Sequence, residues 1–512
     1  MTVPRDVRVL LLSPPVQTHE WLTNKPNAGL AYPNLAGALR DHGVDVRIFD
    51  ASVGDDDDPL EEMFAHPTLL PTGFLRTGVG DERILQVAAD YDIVGISSIF
   101  TDQETTALHC ARLIRAAYPD KVLITGGVNA RSRMSRFFAA GFDVVCLSEG
   151  EATIVDIVDA VRRSHRPDYS AIHGIAYVDS SGVTRVKPPR AQDVVWDLDT
   201  LPMPAWDLLP NERYWTLARP IGTGKSETLR YANMMTSLGC PFHCSYCHIS
   251  KEQEVGSLSG PIGKFRVKSD SRVLAELDVL KDLGVQDLFI EDDSLLGDKK
   301  RALRLLGKIQ GSGFNISDLN GINVLHLLKR WQPDHEVLEA LASAGFSEIS
   351  LPFETGSLRL MRKYASNKLN IERANIQSLI VAMKEYGFTI YGHYMLGYPD
   401  ETMEELQQTL QLARDHVSYG LDGAHFFVVV PLPGTTLYDQ VIADGLHKED
   451  FDPDTMNIHR ANMTGALIPR EELEEIRHRA WEEINTTSYK NSKKSTVPRT
   501  TPTDVVAAQR AS

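Results

Sequence analysis

The residues best placed to do chemistry lie at 237–249, which read SLGCPFHCSYCHI. Three of the five cysteines, Cys240, Cys244 and Cys247, stand here in the spacing C-x-x-x-C-x-x-C. Thiolates this close on one loop can converge on a single soft metal centre. Three thiolates on a four-iron, four-sulfur (4Fe-4S) cluster leave one iron without a protein ligand and open to a small molecule. A structural site normally fills that position, so the count points to chemistry. The competing arrangement is a structural zinc with His243 or His248 as fourth ligand. Zinc sites usually draw a second ligand pair from elsewhere in the chain, and here Cys110 and Cys146 stand singly, far upstream. A disulfide fits less well, because a large chain with no leader reads as cytosolic.

A loop of ligands needs a scaffold, and the chain around this one alternates strands with helices. Helical spacing of apolar residues predicts a helix over 272–284, stopped by Gly284. Strands follow at 287–296, 350–357, 389–402 and 425–439. The first carries three adjacent carboxylates near its end, Glu291, Asp292 and Asp293, which repel one another unless a cation or solvent relieves them. The second ends in Glu354 and the third holds Gly397. Functional groups at successive strand ends form the reactive face of a barrel.

The first 165 residues show a second alternation. Strands are expected at 7–12, 44–50, 92–100, 121–127 and 143–151, with helices at 30–42, 104–118 and 132–140. This predicts a doubly wound, Rossmann-like parallel sheet with its ligand at the carboxyl ends of the strands. The small residues Ser97, Ser98, Gly126, Gly127 and Gly150 fall there. The acidic run at 55–58 reads as a solvated loop. Residues 166–225 read as a linker with a hairpin over 174–186, and five prolines between 188 and 210 suggest an extended crossing. Residues 441–487 read as helical, and 488–512 as a disordered tail.

The form C-x-x-x-C-x-aromatic-C, with Tyr246 as the aromatic, resembles the signature of the radical S-adenosylmethionine (SAM) enzymes. The strand ends IEDDS, LPFETGS, YMLGYPDET and VVVPLPGTTLYD resemble that family's elements in order, over about residues 230–440. The segments SPP, GISSIFT, TGGVNA and SEGE resemble the cobalamin-binding domain that precedes many radical SAM domains, and LDTLPMPAWDLLP resembles the linker that follows it. The resemblance implies a cobalamin-binding Rossmann-like domain (1–165), a linker (166–225), a partial (β/α)6 radical SAM barrel (226–440) and a small helical C-terminal region (441–487). It implies that Cys240, Cys244 and Cys247 hold the cluster. Tyr246, Asp292 or Asp293, Glu354 and Gly397 would surround SAM. Ser13, Pro14, Ser97, Ser98, Thr101, Gly126, Gly127, Glu149 and Gly150 would surround cobalamin. The chain departs from the pattern at Ser148, where glycine is usual, and it lacks D-x-H-x-x-G, the motif whose histidine binds cobalt elsewhere. The lower cobalt face is therefore expected to carry no histidine.

The implied activity is C-methylation of an unactivated carbon of a small biosynthetic intermediate, using methylcobalamin and a 5′-deoxyadenosyl radical. A carbon with no acidic proton is no nucleophile toward SAM, hence the radical route. Radical ring closure or rearrangement without methyl transfer is the alternative, and a non-catalytic cobalamin or iron–sulfur sensor a more distant one. Polar substrate contacts are expected among Asn323, His326, Lys329, Arg330, His393 and Tyr394. The partners implied are a small-molecule substrate and a one-electron reductant such as flavodoxin or ferredoxin. Lys and Arg number 53 against 69 Asp and Glu, a net charge of -16 with no basic cluster in the body, which argues against nucleic acid. No apolar stretch reaches the roughly 18–20 residues of a membrane span, so a cytoplasmic location is expected.

Overall fold

The computed structural model describes residues 6–18, 29–70, 73–217, 230–318 and 320–494. These form two compact units: the first runs to residue 217 and includes Val255–Ile262, and the second holds the rest.

In the first unit the run from Val9 to Leu12 is buried throughout, as expected for a strand covered on both faces. It belongs to β1 (Arg8–Ser13), which pairs in parallel with β2 (Asp45–Asp50) and β3 (Ile93–Ser97). The sheet continues through β4 (Val122–Gly126) and β5 (Val144–Cys146), giving the parallel order β5-β4-β3-β1-β2. The winding reverses between β1 and β3, where a crevice opens outside the strand ends. Tyr32, on the helix Ala31–Asp41, spans that point: its hydroxyl donates to the Leu12 carbonyl at 2.8 Å and accepts from the Ser97 amide at 3.2 Å.

Several sequence expectations are revised here. The helix placed at 132–140 begins at Val128 and breaks at Arg133 into Val128–Ser132 and Met134–Ala139. It can begin so early because Gly127 takes a φ of 101°, turning the chain directly after β4. The hairpin over 174–186 extends the sheet instead of standing apart. Its strand β6 (Ile175–Val178) adds antiparallel to β5 and β7 (Thr184–Lys187) antiparallel to β6, making seven strands.

The proline-rich connector is not an extended crossing where it is described, to residue 217. It folds back, the Ala205 amide donating to the Pro33 carbonyl at 2.8 Å and the Tyr214 hydroxyl to buried Asp50 at 2.6 Å. The acidic run is only partly solvated: Arg83 donates to Asp55 at 2.7 Å and Asp58 at 3.1 Å, and Arg47 to Asp55 at 2.6 Å.

The second unit is a six-stranded parallel sheet in chain order: β8 (Tyr231–Met234), β9 (Asp287–Ile290), β10 (Asn315–Asp318), β11 (Phe346–Glu354), β12 (Thr389–Leu396) and β13 (Gly423–Val428). Sequential parallel strands with helices between them make the expected partial (β/α)6 barrel. Alternation sorts the side chains. On β12 and β13, Tyr394 and Phe426 turn outward with Phe353, toward His416 on the helix Met403–Ser418, while Tyr391, His393, His425 and Phe427 share the inner face.

An open barrel leaves β13 with an exposed edge, and the C-terminal region covers it. Asn485 accepts from the Ala424 amide and donates to its carbonyl, both at 2.8 Å. Arg477 donates to the Phe426 carbonyl at 3.1 Å, and the Val428 amide to the Ile458 carbonyl at 2.8 Å. The helical expectation for 441–487 holds for Arg470–Ile484, whereas 444–469 are mostly turns and loops. The expected tail begins inside a helix, Thr487–Lys494, whose Tyr489 is buried over Gly423. The rest of that tail lies outside the described residues.

Asn485→Ala removes both partners of Ala424 at the covered edge. It should lower unfolding stability by about 2–3 kcal/mol, the cost of two unsatisfied backbone groups, read as a lower denaturant midpoint.

Candidate active site

The cysteine loop follows β8 and is fixed before it reaches the first thiol. The Asp292 carboxylate accepts from the Thr236 amide, the Thr236 hydroxyl and the Ser237 hydroxyl, each at 2.6 Å. Arg301 closes the far side, donating to Thr236 Oγ1 at 2.9 Å and to the Thr236 carbonyl at 2.8 Å. Asp293 accepts from the Gly239 amide at 2.8 Å. Gly239 itself takes a φ of 78°, and a Cβ there would lie 2.4 Å from the Lys264 carbonyl oxygen. Gln253 then clamps the loop, donating to the carbonyls of Cys240 and Phe242 at 2.8 Å each.

The cysteines are free, Cys244 buried and the other two half-buried. Burial pushes the Cys240 thiol up to about 11 and Cys247 to about 12, and Cys244 adds to both. The three thus sit within electrostatic reach of one another. Among the described residues no three His, Cys, Asp or Glu side chains are gathered as around a single ion. Thiols so disfavoured as free thiolates are deprotonated outright once coordinated, so the donor set suits an iron–sulfur centre.

The carboxylates at the strand ends divide by direction. Asp292 is 1% exposed and its three hydrogen bonds are internal, and Asp293 serves the loop backbone. Asp292 is thereby occupied within the protein, whereas Asp293 gives one oxygen to the loop backbone and lies beside Cys240 and Cys247. Glu291 shares the inner side with Asn233, whose amide donates to it. Burial raises its carboxyl to about 7. Asp318 closes β10, buried against the backbone of Gly321, Ile322 and Ser350, and burial raises its carboxyl to about 8.

Glu354 ends β11 after a register shift, with a φ of 63°, and accepts from Lys368 at 2.5 Å. Lys368 was not singled out in the sequence. Burial would lower it, but Glu354, Cys244 and Cys240 beside it hold it above the ordinary lysine range. It is delivered there by Ser366 and Asn367, both at positive φ. The next polar residues, Thr355 and Ser357, bond to Thr409 at 3.2 Å and Glu405 at 2.7 Å.

Tyr246 packs among Tyr364, Tyr398 and Val429. Its hydroxyl and that of Tyr398 are buried, and the Tyr246 hydroxyl lies beside the Cys244 thiol. Gly397 bonds to Glu401 at 2.5 Å, and a Cβ on it would lie 2.3 Å from Leu473, so its bare face admits a helix of the protein itself.

The substrate candidates also separate. His393 faces the inner side, and burial lowers it to about 4, leaving a neutral imidazole. Tyr394 faces outward, its hydroxyl 2.8 Å from His416 Nδ1. Asn323 caps a short turn by accepting from the Leu325 amide at 3.0 Å. His326 lies 5.6 Å from the Phe242 ring of the cysteine loop. Lys329 and Arg330 are exposed on a hairpin.

In the first unit a cavity of about 150 Å³ opens at the strand ends, lined by Tyr32, Ser97, Thr125, Gly126, Gly127 and Gly150 among others. Thr125 Oγ1 and Ser148 Oγ on its wall are buried without partners among the described residues. A mainly apolar slot with open hydroxyls fits a flat heteroaromatic group such as the nucleotide tail of cobalamin. Ser13, Pro14, Ser98, Thr101 and Glu149 lie off this wall. Ser98 accepts from Asn129 at 2.9 Å, and Glu149 from the Val195 amide at 2.9 Å. Ser148 stands out in the sequence only as a departure from glycine, and nothing local to Thr125 or Tyr32 distinguishes a slot wall from core.

Asp292→Ala leaves Thr236, Ser237 and buried Arg301 uncompensated. It should cost about 3–5 kcal/mol and reduce iron content after anaerobic reconstitution, whereas Glu291→Gln should leave both near wild type.

Known proteins resemble both units. The B12 binding domain model matches residues 26–158, and the Radical SAM superfamily model residues 234–413. Cytidylyl-2-hydroxyethylphosphonate methyltransferase of Streptomyces wedmorensis is 27% identical over 475 residues, 86% of this chain and 83% of the relative. The anaerobic magnesium-protoporphyrin IX monomethyl ester cyclase of Rubrivivax gelatinosus is 26% identical over 456 residues, 87% of this chain and 72% of the relative. The structure of the radical SAM methyltransferase TsrM of Kitasatospora setae, with tryptophan and a SAM analogue bound, shares the fold. Its TM-score is 0.67 at 14% identity, over 98% of this chain and 99% of that one. The chain thus joins a B12 binding domain to a radical SAM domain, as in the cobalamin-dependent radical SAM methyltransferases it is similar to, and the cofactors these domains imply are a 4Fe-4S cluster, SAM and cobalamin.

Proposed function

We propose that this enzyme transfers a methyl group to an unactivated carbon of a small biosynthetic intermediate. The observation that carries the reading is similarity over 86% of the chain to a relative named as a methyltransferase acting on a cytidylylated hydroxyethylphosphonate. When bound, the cluster supplies the electron that opens the sulfonium of SAM, and cobalamin carries the methyl group.

The chain's own residues do the positioning. Cys240, Cys244 and Cys247 would hold the cluster, on a loop kept in place by Asp292, Asp293 and Gln253. Glu291, the inner carboxyl beside Asn233, would accept from the ammonium of SAM, and the Glu354–Lys368 pair sets both signs of charge beside the cysteine loop. Thr125, Ser148 and the glycines of the Rossmann slot would take the cobalamin tail. His393 and Tyr391 offer neutral hydrogen bonding and an aromatic wall to substrate on the inner face. Radical cyclisation is the second reading, favoured by the cyclase relative.

Two measurements test this. Anaerobic reconstitution should give about four irons per chain and stoichiometric cobalt, with iron lost in Cys240→Ala, Cys244→Ala and Cys247→Ala. Turnover of a true substrate should consume SAM both as methyl donor and as radical source, whereas cyclisation would leave no methylated product. SAM affinity should also respond to pH. A carboxyl at about 7 in the free enzyme that ionises on meeting an ammonium gains affinity as pH rises toward 7, by at most about tenfold per unit, and levels off above. Glu291→Gln should flatten that profile and weaken binding by about 1.5–3 kcal/mol, measured calorimetrically.

A further inference from the structure

The strands Leu328–Lys329 and Gln332–Pro333 pair antiparallel, and Arg330 and Trp331 close the turn with φ of 54° and 69°. Turns with both central residues left-handed normally use Asn and Gly, because a Cβ there costs about 1–2 kcal/mol. This one is clamped from outside. The Arg373 guanidinium lies 4.6 Å over the Trp331 ring, the Asn375 amide donates to the Trp331 carbonyl at 2.9 Å, and Asn375 Nδ2 to Gln332 at 3.0 Å. The strain therefore holds a guanidinium over a half-buried indole at a fixed tip whose arginines are exposed.

Charge at the tip runs against the rest of the chain. Lys329, Arg330 and Arg373 are exposed, and the first two have no ion-pair partner among the described residues. Nearby Asp334 and Glu336 turn to Lys299, which leaves Glu372 as the adjoining acid. Overall the chain carries -16. The hairpin issues directly from the turn Val324–Leu327, whose His326 packs on Phe242 between Cys240 and Cys244. Pro241 and His243 beside it are exposed, so the cysteine loop meets solvent here.

We infer that this hairpin is the docking surface for a small acidic one-electron carrier protein, with the electron entering by way of the Phe242 side of the cysteine loop. The inference rests on the cluster assignment above. One electron leaves the carrier and enters the cluster; no bond or proton is exchanged. Charge complementarity of this kind acts on the encounter rate and is weakened by salt.

The test uses holoenzyme reconstituted with iron, sulfide and cobalamin, and an acidic flavodoxin in its fully reduced state as probe. Stopped-flow bleaching of the iron–sulfur absorption gives the second-order rate. In the double variant Lys329→Glu, Arg330→Glu that rate should fall about tenfold or more at low salt, and the wild-type rate should fall with ionic strength while the variant's does not. Reduction by dithionite, iron and cobalt should stay at wild-type values. An unchanged flavodoxin rate overturns the proposal. So does equal slowing with dithionite, which would place the defect in the cluster. A raised KM for an anionic substrate with normal flavodoxin reduction would make the hairpin a substrate clamp instead. Failure to take up iron in the wild type would instead remove the cluster assignment beneath it.

Discussion

A buried carboxylate governs the second unit. Asp292 gathers the Thr236 amide and two hydroxyls, and Arg301 reaches the same threonine from the far side. Anionic and cationic groups out of water are tolerated because each is hydrogen-bonded through a shared side chain. The result is a fixed exit from β8. The loop after it carries three thiols that have no regular structure of their own to hold them, so its geometry depends on this network and on the clamp from Gln253.

That constraint also explains how adjacent acids take different work. Successive residues at a strand end point to opposite sides. Glu291 is turned inward beside Asn233, and Asp292 outward to Thr236. The same rule separates His393 from Tyr394 on β12. Burial then sets their chemistry: Glu291 rises toward neutrality and His393 becomes a neutral imidazole, because a charged form out of water is penalised.

The first unit reaches the same end with fewer polar groups. Its slot is made by glycines that let backbone approach and by Tyr32, which ties β1 to β3 where the winding reverses. A Cβ on Gly127 would lie 2.5 Å from the Ser98 carbonyl oxygen, so the two loops close on each other only with glycine there. Deeper in, Glu104 is fully buried between Arg133 and Arg136, at 2.7 and 2.6 Å, and steadies Asn129, which holds Ser98. On the slot wall the hydroxyls of Thr125 and Ser148 are left without partners among the described residues.

Local sequence determined the elements and the chemistry of the cysteine loop. Hydrophobic runs and helical spacing pointed to β1 to β5 and to the barrel strands β9, β11, β12 and β13, since periodicity is a local property, whereas the short β10 carries no such signal. The C-x-x-x-C-x-x-C spacing identified the ligand set for the same reason. Tertiary structure decided what depends on distant partners. Whether Asp292 or Glu291 faces the inner side follows from strand register. Lys368 joins Glu354 only after two left-handed residues turn the chain. The connector and the helix Thr487–Lys494 were read as linker and tail because their composition is polar or proline-rich, yet each packs once the surface it covers exists. A motif names atoms that can react, and only long-range packing fixes which of them share a space.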